Sequence, residues 1–340
     1  MRRLLALFLI LAAPVGASYV EVNGTGAYVY AQADSHSVKR GHAEKGAAYQ
    51  LIQDAQVNGY YRIFFDDQEG FVYRTRVRAH LGDAEAYAAP VTYTGTQVPR
   101  TFQYGEPIDH SQQPRVLLER EAYKVWYDPT RKVALWSAYA YRPTGTTSAR
   151  CQDCFAEDPE APSHPGTYPK LTDYQGVYKA NMTGFDKGHQ SPDASLKVYG
   201  FEQQKETYYL SNMTPQYSNT NQGIWREWED KVRGLATPES PVWVVTGPVF
   251  NAGTPGHPVK PGGPWIPDAY FMVVSRGNGR PDVAAILVKN QQLRLSWAEH
   301  YKETLATVAQ VQDLTGFDFL SALPDDVEKD LESRVNDLWQ

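Results

Sequence analysis

Asp186-Lys187-Gly188-His189-Gln190-Ser191-Pro192, then Leu210-Ser211-Asn212-Met213-Thr214-Pro215-Gln216 and Asn221 to Arg233, are the stretches from which the rest of the sequence is read. The first sets a carboxylate, a cation, a glycine and an imidazole in four consecutive positions. Histidine has the ordinary pKa nearest neutrality, so His189 is a natural proton acceptor. Gly188 has no side chain and leaves room for a large substrate to come close. The second stretch reads as a strand end followed by a helix. Asn221, Trp225, Glu229 and Arg233 recur at every fourth position, which on a helix makes one slanting ridge. An amide or carboxylate oxygen on that ridge suits a hard cation such as magnesium, and a guanidinium suits phosphate.

These residues resemble the DNA/RNA non-specific endonuclease family, the ββα-metal nucleases. The family hallmark Asp-Arg-Gly-His stands here as Asp186-Lys187-Gly188-His189. The continuation Leu210 to Gln216, then Asn221-Gln222-Gly223-Ile224-Trp225 and Glu229, fits as well. So do Val133 to Tyr141, Thr246 to Phe250, Ile266 to Tyr270 and Phe317 to Asp326, and the likeness runs over residues 100–340. The resemblance implies an α+β fold, a ββα-metal nuclease domain with a mixed or antiparallel sheet. It implies hydrolysis of DNA and RNA to 5′-phosphate products, with His189 as the general base that activates water. Asn221 would be the single protein ligand of magnesium, with manganese as the alternative metal, and Glu229 would hold a water of that metal. Asp186 would orient the cluster, Asn212 and Gln216 would shape the loop around it, and Lys187, Arg233 and Arg150 would balance phosphate charge. Bland readings stand beside these: a helix cap for Asn221, an exposed helical carboxylate for Glu229, a surface ion pair for Arg233. Lys187 departs from the family's arginine, keeping the charge and losing the planar two-pronged donor.

The chain has 340 residues, room for two domains. Its formal net charge of −6 removes the simple basic signature of a tight nucleic-acid binder, an objection that a bound cation would soften. Residues 1–17 read as an export signal: Arg2 and Arg3, an apolar run from Leu4 to Ala13, then Val15-Gly16-Ala17. A retained anchor is the alternative, but the run is short for a span and no other run is long enough. The expected location is secreted or periplasmic. Losing Arg2 and Arg3 with the signal takes the formal charge from −6 to −8.

Residues 18–80 alternate in short bursts, Tyr19–Val22, Ala27–Tyr30, Tyr49–Ile52, Tyr60–Phe64 and Gly70–Tyr73, the pattern of a small all-β barrel. Gly59 to Ile63 and Glu69 to Val72 resemble a bacterial SH3-like domain. That implies either attachment to a cell-wall polymer, peptide or partner, or a spacing module without a ligand. Residues 81–100 read as a linker, and 101–340 as the nuclease domain. Within it, strands are expected over Leu117–Arg142, at Tyr208–Leu210 and over Val242–Val245, Tyr270–Val274 and Val283–Val288. Thr144–Gln175 reads as a long surface loop entering the site. Helices are expected over Asn221–Leu235, with Ile224, Trp228, Val232 and Leu235 inward, and over Thr304–Leu314 and Asp325–Leu338. Strands interrupted by helices without a regular βαβ rhythm argue for α+β. Cys151 and Cys154, the only cysteines, cannot make a four-ligand zinc site alone. In an exported protein they read as a small disulfide beside Arg150. A second class of function is a wall-associated nucleic-acid-binding protein without catalysis, against which the complete set of His189, Asn221 and Glu229 weighs.

Overall fold

The structure, a computed structural model, describes residues 19–52, 56–65, 68–80, 98–99, 104–174, 184–251, 257–276, 282–323 and 325–338. The expected export signal, most of the 81–100 connection, Gln175 and Pro324 lie outside the described residues. Two compact units divide the chain, residues 1–89 with 321–325 and residues 90–320 with 326–340.

The first unit carries seven short strands: β1 (Tyr19–Val22), β2 (Ala27–Tyr30), β3 (Lys39–Ala43), β4 (Ala48–Gln50), β5 (Tyr60–Phe65), β6 (Gln68–Tyr73) and β7 (Val77–His80). They pair antiparallel in two sheets, ordered β4-β1-β7 and β3-β2-β6-β5. Period-two alternation sends Val20, Val22, Val29, Ile63 and Val72 into one core. A Cβ on Gly70 would lie 2.4 Å from Val29 Cγ1, so a bare backbone is what lets β6 lie against that core. Five strands fall on the alternating bursts. β3 and β7 were not anticipated; Lys-Arg-Gly-His-Ala of β3 has no apolar alternation, and it is an edge strand dressed in charge.

The second unit holds β8 (Ile108–Asp109), β9 (Val116–Glu119), β10 (Tyr123–Asp128), β11 (Val133–Tyr141), β12 (Phe185–His189), β13 (Met213–Tyr217), β14 (Val242–Val249), β15 (Ala269–Arg276), β16 (Asp282–Lys289), β17 (Leu305–Ala306) and β18 (Phe317–Asp318). One antiparallel sheet takes seven of them, in the order β17-β16-β15-β14-β11-β10-β9. Its central strands β11 and β14 are buried almost throughout. They read as continuous apolar runs because both faces of the sheet are covered. On one face Tyr127, Tyr139, Val244 and Tyr270 pack with Ile224, Trp225, Trp228 and Val232. On the other, Phe271 meets Phe319 with ring centroids 5.6 Å apart. Trp225 and Trp228 are fully buried, and truncating either to alanine costs about 3–5 kcal/mol.

Four expected elements differ. The helix from Asn221 is not regular at its start. Ser218–Thr220 makes one turn, Asn221–Trp225 a π turn broken at Gly223 (φ −105°, ψ −122°), and the α-helix proper runs Arg226–Gly234. The ridge is therefore interrupted, and Trp225 turns inward against Tyr270. Tyr208–Leu210 is not a strand: Tyr209 makes a single parallel bridge to Ala156, Leu210–Asn212 is a 3-10 turn, and the strand starts at Met213. The helix expected from Thr304 starts at Val308, where Thr307 and Gln310 close a capping box. The last helix ends at Glu332, six residues before the expected Leu338. The 144–174 loop is irregular as expected but not all surface: Tyr168 stacks on Tyr127 at 4.8 Å. No described helix is long and apolar enough to cross a membrane.

Candidate active site

β12 and β13 pair antiparallel, with Asp186 opposite Gln216, Lys187 opposite Pro215, Gly188 opposite Thr214 and His189 opposite Met213. The chain leaves β13 directly into the kinked turn and the helix. Strand, strand and helix thus mount the two key stretches side by side. Alternation puts Asp186 and Gly188 on one face of the pair and Lys187 and His189 on the other. On the first face Gln216 lies diagonally across from Gly188. A Cβ on Gly188 would come 2.3 Å from Gln216 Oε1 and 2.7 Å from its Cβ. The room made by Gly188 is therefore filled by Gln216, not left open for substrate, which corrects the sequence reading.

Asp186 is the hub of the polar half. Its Oδ1 accepts from Ser218 Oγ at 2.7 Å. Its Oδ2 accepts from Asn221 Nδ2 and from Gln222 Nε2, each at 2.8 Å. A carboxylate takes only the N–H side of an amide, so Asp186 fixes which way Asn221 points. The carbonyl Oδ1 of Asn221 is left without a protein partner among the described residues. A neutral oxygen held this way is a hard donor that fits magnesium or manganese and does not fit a soft metal.

His189 belongs to a different environment. Its ring lies 4.8 Å from Tyr208, edge to face, and 5.8 Å from Phe155. The Ala156–Tyr209 bridge sets Phe155 and Tyr208 next to each other, centroids 5.0 Å apart. His189 Nε2 is enclosed without a hydrogen-bond partner, whereas Nδ1 is not enclosed. Burial accordingly pulls the pKa down to about 4, helped by the charges of Arg150 and Lys187 and opposed by Asp193. Lys187 Nζ sits 3.9 Å from the centre of the Phe155 ring. Burial lowers its pKa too, against the pull of Asp186.

Glu229, half-buried on the helix, is pushed up to about 8 by burial, with Asp230 and Asp193 adding to the rise and Arg233 opposing it. The charge of Asp193 raises the pKa of both His189 and Glu229. Asp193 Oδ2 accepts from Tyr208 OH at 2.9 Å and from Gln204 Nε2 at 3.3 Å. Arg233 pairs with Asp230 and donates to Ser195 Oγ at 3.2 Å, so much of its guanidinium is already engaged. Arg150 is exposed, its charge felt at His189 and Tyr208. Next to it Cys151 and Cys154 are joined in a disulfide. Asn212 is a structural tie: Nδ2 donates to Ser191 O and Thr207 O at 2.9 and 2.8 Å, and Oδ1 accepts from Ser191 N at 2.9 Å.

Sequence reading missed Phe155, Asp193, Tyr208 and Ser218. Asp193 had a signal, a Pro-Asp step opening a helix just past His189. Phe155 had none beyond lying in the loop expected to enter the site. Elsewhere Asp318, Glu328 and Glu332 bring carboxylate oxygens within 4.8 Å of one another. Asp318 precedes Phe319, which packs on the sheet face opposite Tyr270 and Trp225, so these acids are separate from the His189 cluster.

An imidazole, an amide oxygen turned outward and neighbouring cations are thus gathered on two strands and the helix that follows. Residues 98–326 match the DNA/RNA non-specific endonuclease family, and the chain belongs to it and is a nuclease. It is 32% identical over 224 residues to a nuclease of Serratia marcescens, covering 64% of this chain and 80% of that one. It is 31% identical over 234 residues to nuclease C1 of Cunninghamella echinulata, covering 64% and 88%. Human mitochondrial endonuclease G is 34% identical over 137 residues, 39% of this chain and 43% of that protein. The fold is also like a chain in the crystal structure of the EndoG/EndoGI complex, with a TM-score of 0.54 at 21% identity, covering 65% of this chain and 90% of that one.

Proposed function

We propose that this chain hydrolyses DNA and RNA without sequence preference, using magnesium or manganese and leaving 5′-phosphate ends. The observation that carries the reading is the Asn221 amide, turned by Asp186 so that its oxygen has no protein partner among the described residues. Asn221 Oδ1 would hold the metal with Glu229 beside it, and a metal there would supply stabilisation of the negative charge that develops on the phosphate. His189 takes the proton of the attacking water at Nδ1, the ring nitrogen that is not enclosed. Its neutrality at ordinary pH follows from its burial. Asp186 acts as a positioning residue rather than a nucleophile, since both of its oxygens are occupied. Lys187 and Arg150 balance phosphate charge. Arg233, engaged by Asp230, contributes through the field at Glu229. Contacts of this kind read phosphates, and phosphates carry no sequence information.

The basic-then-apolar amino terminus supports export, and the Cys151–Cys154 disulfide fits an oxidising compartment. Residues 18–80 are read as an SH3-like module that holds the enzyme to a wall polymer or peptide. The test is release of acid-soluble nucleotides from DNA and from RNA with magnesium or manganese, and in EDTA. Release from both substrates that stops in EDTA is expected. Undiminished release in EDTA would overturn the metal-dependent mechanism, and binding without release in either metal would leave only a binding protein.

A further inference from the structure

The loop from Asn290 to Trp297 is fastened to the chain on both sides of Asn221. Asn290 Oδ1 accepts from Tyr217 N at 2.9 Å, and its Nδ2 donates to Pro215 O and Pro267 O at 3.2 and 2.9 Å. Thr220 Oγ1 donates to Gln291 O at 2.9 Å and accepts from Gln291 N at 3.1 Å. Asn219 Nδ2 donates to Gln292 O at 2.5 Å. At the far end Trp297 N donates to Glu227 Oε2 at 3.1 Å. Residues 217, 219, 220 and 227 thus grip a loop that follows the outside of the kinked turn.

Gly223, the residue at which the turn breaks, faces that loop. A Cβ there would lie 3.4 Å from Leu295 O and 3.7 Å from Arg294 Cγ. The stem of Arg294 therefore runs along the backbone two residues past Asn221. Its side chain is exposed and has no hydrogen bond or ion pair among the described residues. Arg115, Arg120, Arg131, Arg233 and Arg276, in contrast, each reach a carboxylate. The molecule is acidic overall, with a formal charge of −6, so attraction for a polyanion has to be placed locally. An arginine without an acid partner, on a loop fixed by hydrogen bonds, is suited to a phosphate: its planar donors stay free and little order is lost on contact.

We infer that Arg294 is a substrate-binding residue that holds a backbone phosphate of the nucleic acid alongside the Asn221 turn. This rests on the reading of Asn221 given above. Arg294 anchors the strand and takes no part in proton transfer, so its loss weakens binding to substrate and transition state alike.

Arg294→Ala, Arg294→Lys, Arg294→Glu and the uncharged control Leu293→Ala are compared in two measurements on the full chain. The first is binding of a fluorescent single-stranded oligonucleotide in EDTA across a salt series. The second is kcat and KM with magnesium on DNA and RNA. Arg294→Ala is expected to weaken binding and to reduce the log–log salt slope by about 0.7, the loss of one phosphate contact on a single strand. KM should rise by roughly three- to tenfold with kcat nearly unchanged, equally on DNA and RNA. Arg294→Lys should restore the slope, Arg294→Glu should bind more weakly than Arg294→Ala, and Leu293→Ala should keep the wild-type slope. An Arg294→Glu variant with wild-type slope and KM overturns the assignment. A reduced slope in a protein that never cleaves with either metal would sink the proposed catalysis and leave the phosphate contact standing.

Discussion

His189 stands against the rings of Phe155 and Tyr208, with one ring nitrogen enclosed and unpartnered. Asn221 stands against a carboxylate that also collects a hydroxyl and a second amide. In the proposed mechanism the two halves of one site are thus prepared in opposite ways. A base works best when charge on it is disfavoured before the reaction, and apolar rings do that by excluding water. A donor to a cation works best when its oxygen already points the right way, and a hydrogen-bonded partner does that by occupying the other end of the amide. Aromatic packing tunes the first group and hydrogen bonding aims the second.

The largest effects come from removing either group. His189→Ala and Asn221→Ala should each lower kcat by ~10²–10⁴-fold, so activity alone does not tell the halves apart. Calorimetry of magnesium or manganese binding with a non-cleavable substrate does: His189→Ala should keep the metal and Asn221→Ala should lose it. The reverse result breaks the assignment of the two halves. Next is Asp186→Ala, which frees the Asn221 amide to rotate. Metal affinity should fall about 10–100-fold, the usual scale for losing a residue that orients a ligand, with the acid limb of the pH profile unchanged. A shifted limb with unchanged metal affinity would place Asp186 on the base side instead.

The smallest effect sharpens the aromatic half. His189 is deprotonated above its pKa of about 4. The acid limb of kcat/KM should therefore lie near pH 4, well below that of a solvated histidine, because the active form is the neutral one. Phe155→Ala admits water and should move the limb up toward the ordinary histidine value while lowering kcat only severalfold. The same depression has a sign for stability. The unfolded chain binds a proton between the ordinary histidine pKa and about 4 that the folded chain refuses. This contribution is full above the ordinary value and is lost as pH falls through that window. A limb that stays near pH 4 in Phe155→Ala would show that the rings do not set the pKa.

Legibility in the sequence follows the same division. The β-rich second unit could be read because its apolar runs are long and ordered, and His189, Asn221 and Asp186 could be singled out because they fall in short blocks, but the strand that carries Asp186 and His189 was not expected. The buried strands Val133–Tyr141 and Val242–Val249 stood out as apolar runs. What stayed hidden depends on contacts across sequence. Phe155 reaches Lys187 and His189 only through the Ala156–Tyr209 bridge, which no local pattern announces. The break at Gly223 was hidden by a four-residue repeat that looks like uninterrupted helix, although the repeat includes a tryptophan that the core claims. Gly188 was read as space for substrate because the diagonal partner that fills it, Gln216, comes from another strand.

Ser191 Oγ lies 2.7 Å from Ser137 Oγ on β11, and Thr246 Oγ1 on β14 donates to Gln190 O at 2.7 Å. These ties span 54 and 56 residues of chain, and they hold the backbone immediately behind His189. Contacts of such range need the intervening chain to be closed, so their entropy cost is met by the packing of the central sheet and not by local structure. An extended chain has every residue of a nuclease and none of the arrangement.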